Sequence, residues 1–285
     1  MGGLFCGKKD MGEHYEDHGS KTVKVIADIS DIEFSYLSSF VADPELSASK
    51  ELTNRVLKKV LVRLGAEDKI LCEGDHILWN TGIPSHSGCK IIGYGKIDSS
   101  GTLWIIKFAE SQSGIMTGWL DRFGSMPEAM DFTDIEEHFN PNYPVRLSLQ
   151  HILVDRYYIL PKEYQEFLGI VCEKDTLQEN VARIEEYVKF STMVLEGSIL
   201  KTLRQIKEIP AMPVRFWNSR TERMDWMIPV DMGVKSQSII ALVLTLKEEG
   251  DQRYYQGYTI LDLKTAYSNA RLANPILSNW LRWEE

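Results

Sequence analysis

Apolar positions three and four apart mark the first helices of the chain. From Asp31, Ile32, Phe34, Leu37 and Phe40 recur at helical spacing. A second helix, from Ser49, carries Leu52, Val56, Leu57, Val60, Leu61 and Leu64 on one stripe, with Gly65 as its natural stop. Lys58, Lys59 and Arg63 fall on the other side, which reads as a solvated face. The period then changes to strands at Lys69 to Leu71, His76 to Asn80, Lys90 to Lys96 and Leu103 to Phe108. Asp98-Ser99-Ser100-Gly101 between the last two is a hairpin signal. Gly93-Tyr94-Gly95, inside a strand pattern, reads as a bulge or a close backbone approach.

Residues 110 to 146 are rich in Gly and Pro, with acidic residues at Asp131, Asp134, Glu136 and Glu137, and are expected to carry short helices or a lid. A long helical pattern follows from Asp175 to about Ile209, with Leu177, Val181, Ile184, Val188, Leu195, Ile199, Leu203 and Ile206 as its stripe and Pro210 as its end. Gly197 is a candidate interruption. Met224 to Val230 and Ser238 to Leu246 are strands, the second continuously apolar and so expected to be buried. Glu249-Gly250-Asp251 turns the chain back into Arg253 to Leu261 as a second hairpin, and Asp262 caps a short helix. Partly segregated helices and hairpin-linked strands predict an α+β fold, a mostly antiparallel sheet with hairpins packed against long helices. Residues 1–22 lack an apolar period and read as a flexible leader, and 23–285 as a single α+β domain.

Composition narrows the partners. Hydrophobic residues are 44% and charged residues 26% of the 285, the balance of an ordinary soluble protein. The net charge of −9 argues against duplex nucleic acid held by many phosphate contacts, and leaves room for a local basic pocket. Cys6, Cys72, Cys89 and Cys172 read as reduced thiols, and no run reaches transmembrane length, so a cytoplasmic protein without a membrane partner is expected. The start, Met1-Gly2-Gly3-Leu4-Phe5-Cys6, departs from a myristoylation signal at Cys6. Cys72, His76, His86 and Cys89 are metal-ligand types, but their C-x3-H and H-x2-C spacing matches no common zinc finger. Neither a metal nor a cofactor is expected, because P-loop, dinucleotide and nucleophile-elbow motifs are missing from the sequence.

Four segments, in order, carry a family resemblance. Trp79-Asn80-Thr81-Gly82-Ile83 is similar to a Phe-Asn-Thr-Gly-Leu element. His151-Ile152-Leu153-Val154-Asp155-Arg156, followed by Pro161, is similar to a His-Ile-Leu segment. Pro213-Val214-Arg215-Phe216-Trp217 leads to Met227-Ile228-Pro229-Val230, and Tyr258-Thr259-Ile260-Leu261 leads to Ala266-Tyr267-Ser268-Asn269-Ala270-Arg271-Leu272. Together these resemble the bacterial domain-of-unknown-function family 3825 over roughly residues 32 to 281. Val214-Arg215 departs from it, since the family tends to have Gln there. Some members are joined to cold-shock-type RNA-binding modules, so the resemblance implies work on RNA or nucleotides.

The same segments supply the candidate chemistry. Asn80 and Thr81 either form the turn before Gly82 or orient a ligand. His151 opens an apolar run, as at a strand edge, and is either a hydrogen-bonded structural residue or an acid/base. Arg156 either pairs with Asp155 or holds an anion. Tyr267 and Arg271 are four apart on one helical face with Asn269 nearby, as a buried polar network or as ligand contacts. The leading expectation is a nucleotide- or RNA-binding module with a cationic pocket of Asn80, His151, Arg156, Asn269 and Arg271, and Tyr258 or Tyr267 for stacking. One alternative is a metal-independent enzyme acting on a phosphate-containing group, with His151 as acid or base. Another is a protein-interaction module without a small ligand, with a protein as partner.

Overall fold

The computed structural model describes residues 25–130, 138–167, 181–218, 223–233, 239–273 and 278–281. The leader and the acidic cluster expected near Asp134 lie outside them. Where the sequence suggests one domain, contacts gather into two compact units, Met1–Asp134 and Ile135–Glu285. Each has a five-stranded sheet. Helices beside largely antiparallel strands make the α+β class expected from the pattern.

The first unit contains β1 (Val25–Ile26), α1 (Asp31–Ser38), α2 (Pro44–Ala48), α3 (Lys50–Ala66), β2 (Leu71–Glu73), β3 (His76–Pro84), β4 (Lys90–Ile97), β5 (Thr102–Glu110) and α4 (Gly114–Phe123). Strands β2 to β5 form an antiparallel meander, and β1 joins parallel to β5. Ser30, Asp43 and Ser49 cap the first three helices through side-chain oxygens that accept first-turn N–H groups. Helix α2 is too short for a periodic signal and rests on the Asp43 cap with Pro44 at its first turn. Gly65 does not stop α3, which continues to Ala66. Nor does Arg63 lie on a solvated face: it is buried, its Nε 2.7 Å from Glu67 Oε1, so its carboxylate partner one turn on travels inward with it.

The two faces of this sheet differ. On one, Trp79 lies so close over β4 that a Cβ on Gly93 would come within 2.3 Å of its ring. A register shift also falls between Tyr94 and Gly95, so the Gly-Tyr-Gly pattern is both a bulge and a close approach. On the other face, α4 covers Leu78, Ile92 and Ala109 through Met116, with Tyr94, Trp119 and Phe123 packed at the margin. Helix α4 is one short helix of the Gly- and Pro-rich stretch.

The second unit contains β6 (Val145–Leu147), a π-helical turn (Gln150–Asp155), a 3-10 turn (Tyr157–Ile159), α5 (Lys162–Phe167), α6 (Val181–Glu208), β7 (Val214–Asn218), β8 (Arg223–Asp231), β9 (Ile239–Glu249), β10 (Gln252–Leu261) and α7 (Leu263–Ala270). The strand order is β6-β10-β9-β8-β7, antiparallel except where β6 joins β10. Trp226, Ile228, Leu242, Leu244 and Ile260 line one face and pack with Leu195, Ile199 and Ile206 of α6 and Ile152 and Leu153 of the π turn. Met227, Ala241 and Val243, in the opposite strand phase, are also buried, and α7 packs against β7 and β9 on that side. Gly197 does not interrupt α6. The apolar run at His151, expected as a strand edge, is instead the π turn, because its Ile152 and Leu153 must both enter one core and adjacent strand residues cannot.

Candidate functional site

The predicted residues fall into three places. Asn80 and Thr81 lie in the first unit, at the irregular end of β3, and are buried. The Asn80 carboxamide oxygen accepts from Gly82 N at 3.0 Å, and Gly82 takes a φ of 69°. The Thr81 hydroxyl donates to Ile91 O at 2.8 Å and accepts from Ile83 N at 3.2 Å. These bonds lock the turn locally. Asn80 Nδ2 is buried without a hydrogen-bond partner among the described residues.

His151 and Arg156 share the π turn and its end. His151 Nδ1 stands 2.9 Å from Asp155 Oδ2, and the imidazole is 40% exposed. The carboxylate orients the ring through Nδ1. Asp155 is therefore not the partner seen for Arg156, whose Nη1 donates to the Tyr158 hydroxyl at 2.7 Å.

Tyr267, Asn269 and Arg271 belong to α7 and its end. Asp262 caps this helix by accepting from Thr265 N, as the sequence suggests. Tyr267 and Asn269 are buried. Arg271 donates from Nε and Nη2 to the Tyr267 hydroxyl, each at 3.3 Å, and its guanidinium carbon lies 5.4 Å from that ring's centre. The π turn and α7 occupy opposite faces of the sheet. His151 and Arg156 are thus not brought together with Arg271 in one pocket. Tyr267 is too deep to stack on a base.

On the α7 side the sequence reading misses a polar triangle. Asn218 Nδ2 donates to Asp225 Oδ2 at 2.9 Å and to the Tyr258 hydroxyl at 3.0 Å, and that hydroxyl donates to Asp225 Oδ2 at 3.0 Å. Asp225 is buried. Tyr258 is engaged here through its hydroxyl. On the other face the Arg215 guanidinium lies 4.0 Å from the Trp226 ring centre, so this residue packs by cation–π contact.

A second missed group is an aromatic ledge on the α4 face of the first unit. Helix α4 leaves the β5 end of this face uncovered, so Trp104 is 53% and Ile106 41% exposed. Trp104 pairs across the sheet with Lys96, and Lys107 with Tyr94; the register shift beside Ile106 keeps these side chains on one face. The Trp104 indole N–H donates to Asp98 Oδ2 at 2.9 Å. The other Asp98 oxygen accepts from Ser100 N and Thr102 N. The Ser100 hydroxyl, then the Trp104 indole, hold the Asp98 carboxyl far below the usual carboxylate range. A large aromatic is therefore exposed and fixed at once. The sequence hid it because Leu103, Trp104, Ile105 and Ile106 are apolar in both strand phases, which reads as burial on both faces.

At the margin of α4 an aromatic stack joins the ledge. Tyr94 stacks on Trp119 at 5.2 Å between ring centres, and its hydroxyl lies 2.6 Å from His76 Nδ1. His76 Nε2 is 3.2 Å from Asp75 Oδ1, so a neutral ring with its proton on Nε2 satisfies both partners. Burial, then the nearby Arg122 charge, push the His76 pKa down. Asp75 also pairs with Lys96 at 3.3 Å.

Cys72 is disulfide-bonded, not the reduced thiol the composition suggests, while Cys89 is a free thiol. Among the described residues, no group of three or more His, Cys, Asp or Glu is placed to hold a metal ion, and no helix is long and apolar enough to cross a membrane.

Two sheets flanked by helices, with polar motif residues turned largely inward, define an α+β protein whose signature segments build its frame. The chain belongs to the family described as a domain of unknown function, DUF3825, which it matches over residues 45–280. No curated protein and no solved structure matches it.

Proposed function

We propose that this chain is a nucleotide- or RNA-binding module, and that single-stranded RNA is held on the ledge around Trp104. One observation carries the reading: an exposed indole is fixed by a carboxylate that is itself fixed by a turn. A soluble fold gains nothing from holding a large apolar ring rigid in water, whereas a base that stacks on such a ring orders little in doing so. Stacking tolerates any base, because every base has a π-face. Lys96, across the sheet from Trp104, and Lys107, opposite Tyr94 on the same face, bring cations to a strand's phosphates. Transfer of a phosphate-containing group with His151 as acid or base has thinner support, a single imidazole–carboxylate contact on an exposed turn.

The test is fluorescence anisotropy of labelled single-stranded RNA at low ionic strength, with mononucleotides as competitors. Trp104→Ala should weaken binding by about 5- to 100-fold, the scale of one lost base–aromatic stack. Its melting curve should match the parent's, because the ring is exposed. Equal binding by Trp104→Ala would remove the ledge from the reading. No binding of RNA or mononucleotide by the parent chain would end the reading itself.

A further inference from the structure

The Trp104 ledge lies beside the point where residues 1–24 join the fold. Strand β1 begins at Val25, whose partner across the sheet is Thr102 of β5. Thr102 and Trp104 are two apart on one strand, so Val25 shares the face of Trp104. Val25 is 57% exposed and carries the exposed surface to the edge of the sheet. Its N–H donates to Gly101 O, so the chain arrives past the turn that holds Asp98. One strand spacing and two residues separate Val25 from Trp104, about 8 Å.

Charge on this face is one-sided. Strands β4 and β5 bring Lys90, Lys96 and Lys107 to it. Of the two acids between residues 90 and 110, Glu110 falls in the opposite strand phase and accepts from Ser87. The other, Asp98, is occupied by Trp104, Ser100 and Thr102. Lys96 shares Asp75 at 3.3 Å, whereas Lys107 has no acidic partner among the described residues. Residues 10–20 of the sequence are the complement. They hold Asp10, Glu13, Glu16 and Asp17, with Tyr15 among them and no Lys or Arg. The lysines of residues 1–24, at 8, 9, 21 and 24, all stand outside that stretch.

We propose that residues 10–20 of the same chain cover the ledge when it holds no RNA, with the Tyr15 ring on the Trp104 indole and Glu13, Glu16 and Asp17 toward Lys96 and Lys107. An aromatic ring set among anions offers what a single strand offers, a base between phosphates. The segment is thus a built-in competitor for the same surface. Its reach is sufficient. Tyr15 stands ten residues before Val25, and ten extended residues span up to about 33 Å, four times the distance to Trp104. The chain leaves Val25 heading away from Trp104, and that surplus lets it turn back. A short tether holds the segment at an effective concentration in the millimolar range, so a contact too weak for a free peptide suffices. The covered and open ledges are two states of one equilibrium, and RNA shifts it by binding the open one. The cover follows from the ledge and the sequence beside it; its role as a competitor rests on the RNA reading.

Two measurements on the full chain test it, one of them without RNA. Hydroxyl-radical footprinting read by mass spectrometry reports the labelling of Trp104, with buried Trp79 as the internal reference. Labelling of Trp104 should rise in Tyr15→Ala and in the triple variant Glu13→Gln, Glu16→Gln, Asp17→Asn. It should also rise in the parent as salt is added, since the charges are exposed. Anisotropy with labelled single-stranded RNA is the second measurement. If the ledge is open a tenth of the time, the triple variant should bind about tenfold more tightly than the parent. Equal Trp104 labelling in the parent and both variants overturns the proposal, whatever RNA does. Protection that appears only as protein concentration rises overturns it too, because the cover then comes from a second copy. Labelling that rises in the variants while no chain binds RNA upholds the cover and ends the RNA reading instead.

Discussion

Single side chains hold this fold at two places where hydrogen bonding outweighs shape. Thr81 has its hydroxyl between Ile91 O and Ile83 N, inside the core. Thr81→Val keeps the shape and orphans both groups, so urea denaturation should show a loss of about 1–3 kcal/mol. His76 is the second place. Its pKa is pushed down by burial and then by Arg122, against the pull of Asp75 and with a further push from Lys96. The folded protein therefore favours the neutral ring. The stability this contributes is fully present above the ordinary His value near 6.5 and is lost as the pH falls through the lower folded value. Thermal melts from pH 8 down to pH 5 should fall less steeply for His76→Gln than for the parent; parallel curves would separate His76 from that loss. Residue-scale chemistry was partly legible. The Asp262 cap and the Asn80–Gly82 turn follow from residue type alone. The burial of Arg63 was not, because position on a helix face says nothing about a carboxylate that follows it inward.

Among the elements, α6 combines the strongest sequence signal with the largest structural role described here. Its stripe faces the second unit's sheet, but unevenly: Leu195 is fully buried and Leu203 only partly. Leu195→Ala should cost about 2–5 kcal/mol in chemical denaturation, the range for a large-to-small core change. A loss below about 0.5 kcal/mol, the surface scale, would take α6 out of the core. Long periodic segments and the two hairpin turns were readable because period and turn chemistry are local. Helix α2 and the π turn were not. The first is five residues long, shorter than two helical turns. The second carries an apolar run whose length suits a strand as well as a helical turn, and only the demand that Ile152 and Leu153 enter the same core decides between them.

Over the whole molecule, the sequence conveys the class of fold but not which side of a sheet each motif serves. His151 and Arg271 both sit in family-like segments, yet a sheet lies between the elements that carry them. Nothing local records that, since each segment would read the same on either face. The ledge at Trp104 was hidden for the converse reason: an apolar strand looks buried until the helix above it proves too short to cover it. Two separate sheets also explain why a continuous pattern without a spacer still yields two compact units. One feature of the first unit bears on how such a chain changes by descent. The Trp79 ring occupies the space that a side chain on Gly93 would need, whereas Leu103 and the Trp104 carbonyl crowd Gly95. Positions 79 and 93, on two strands, therefore behave as one heritable character. A larger residue at 93 is admissible only after 79 has shrunk, and the order of those two steps is not reversible.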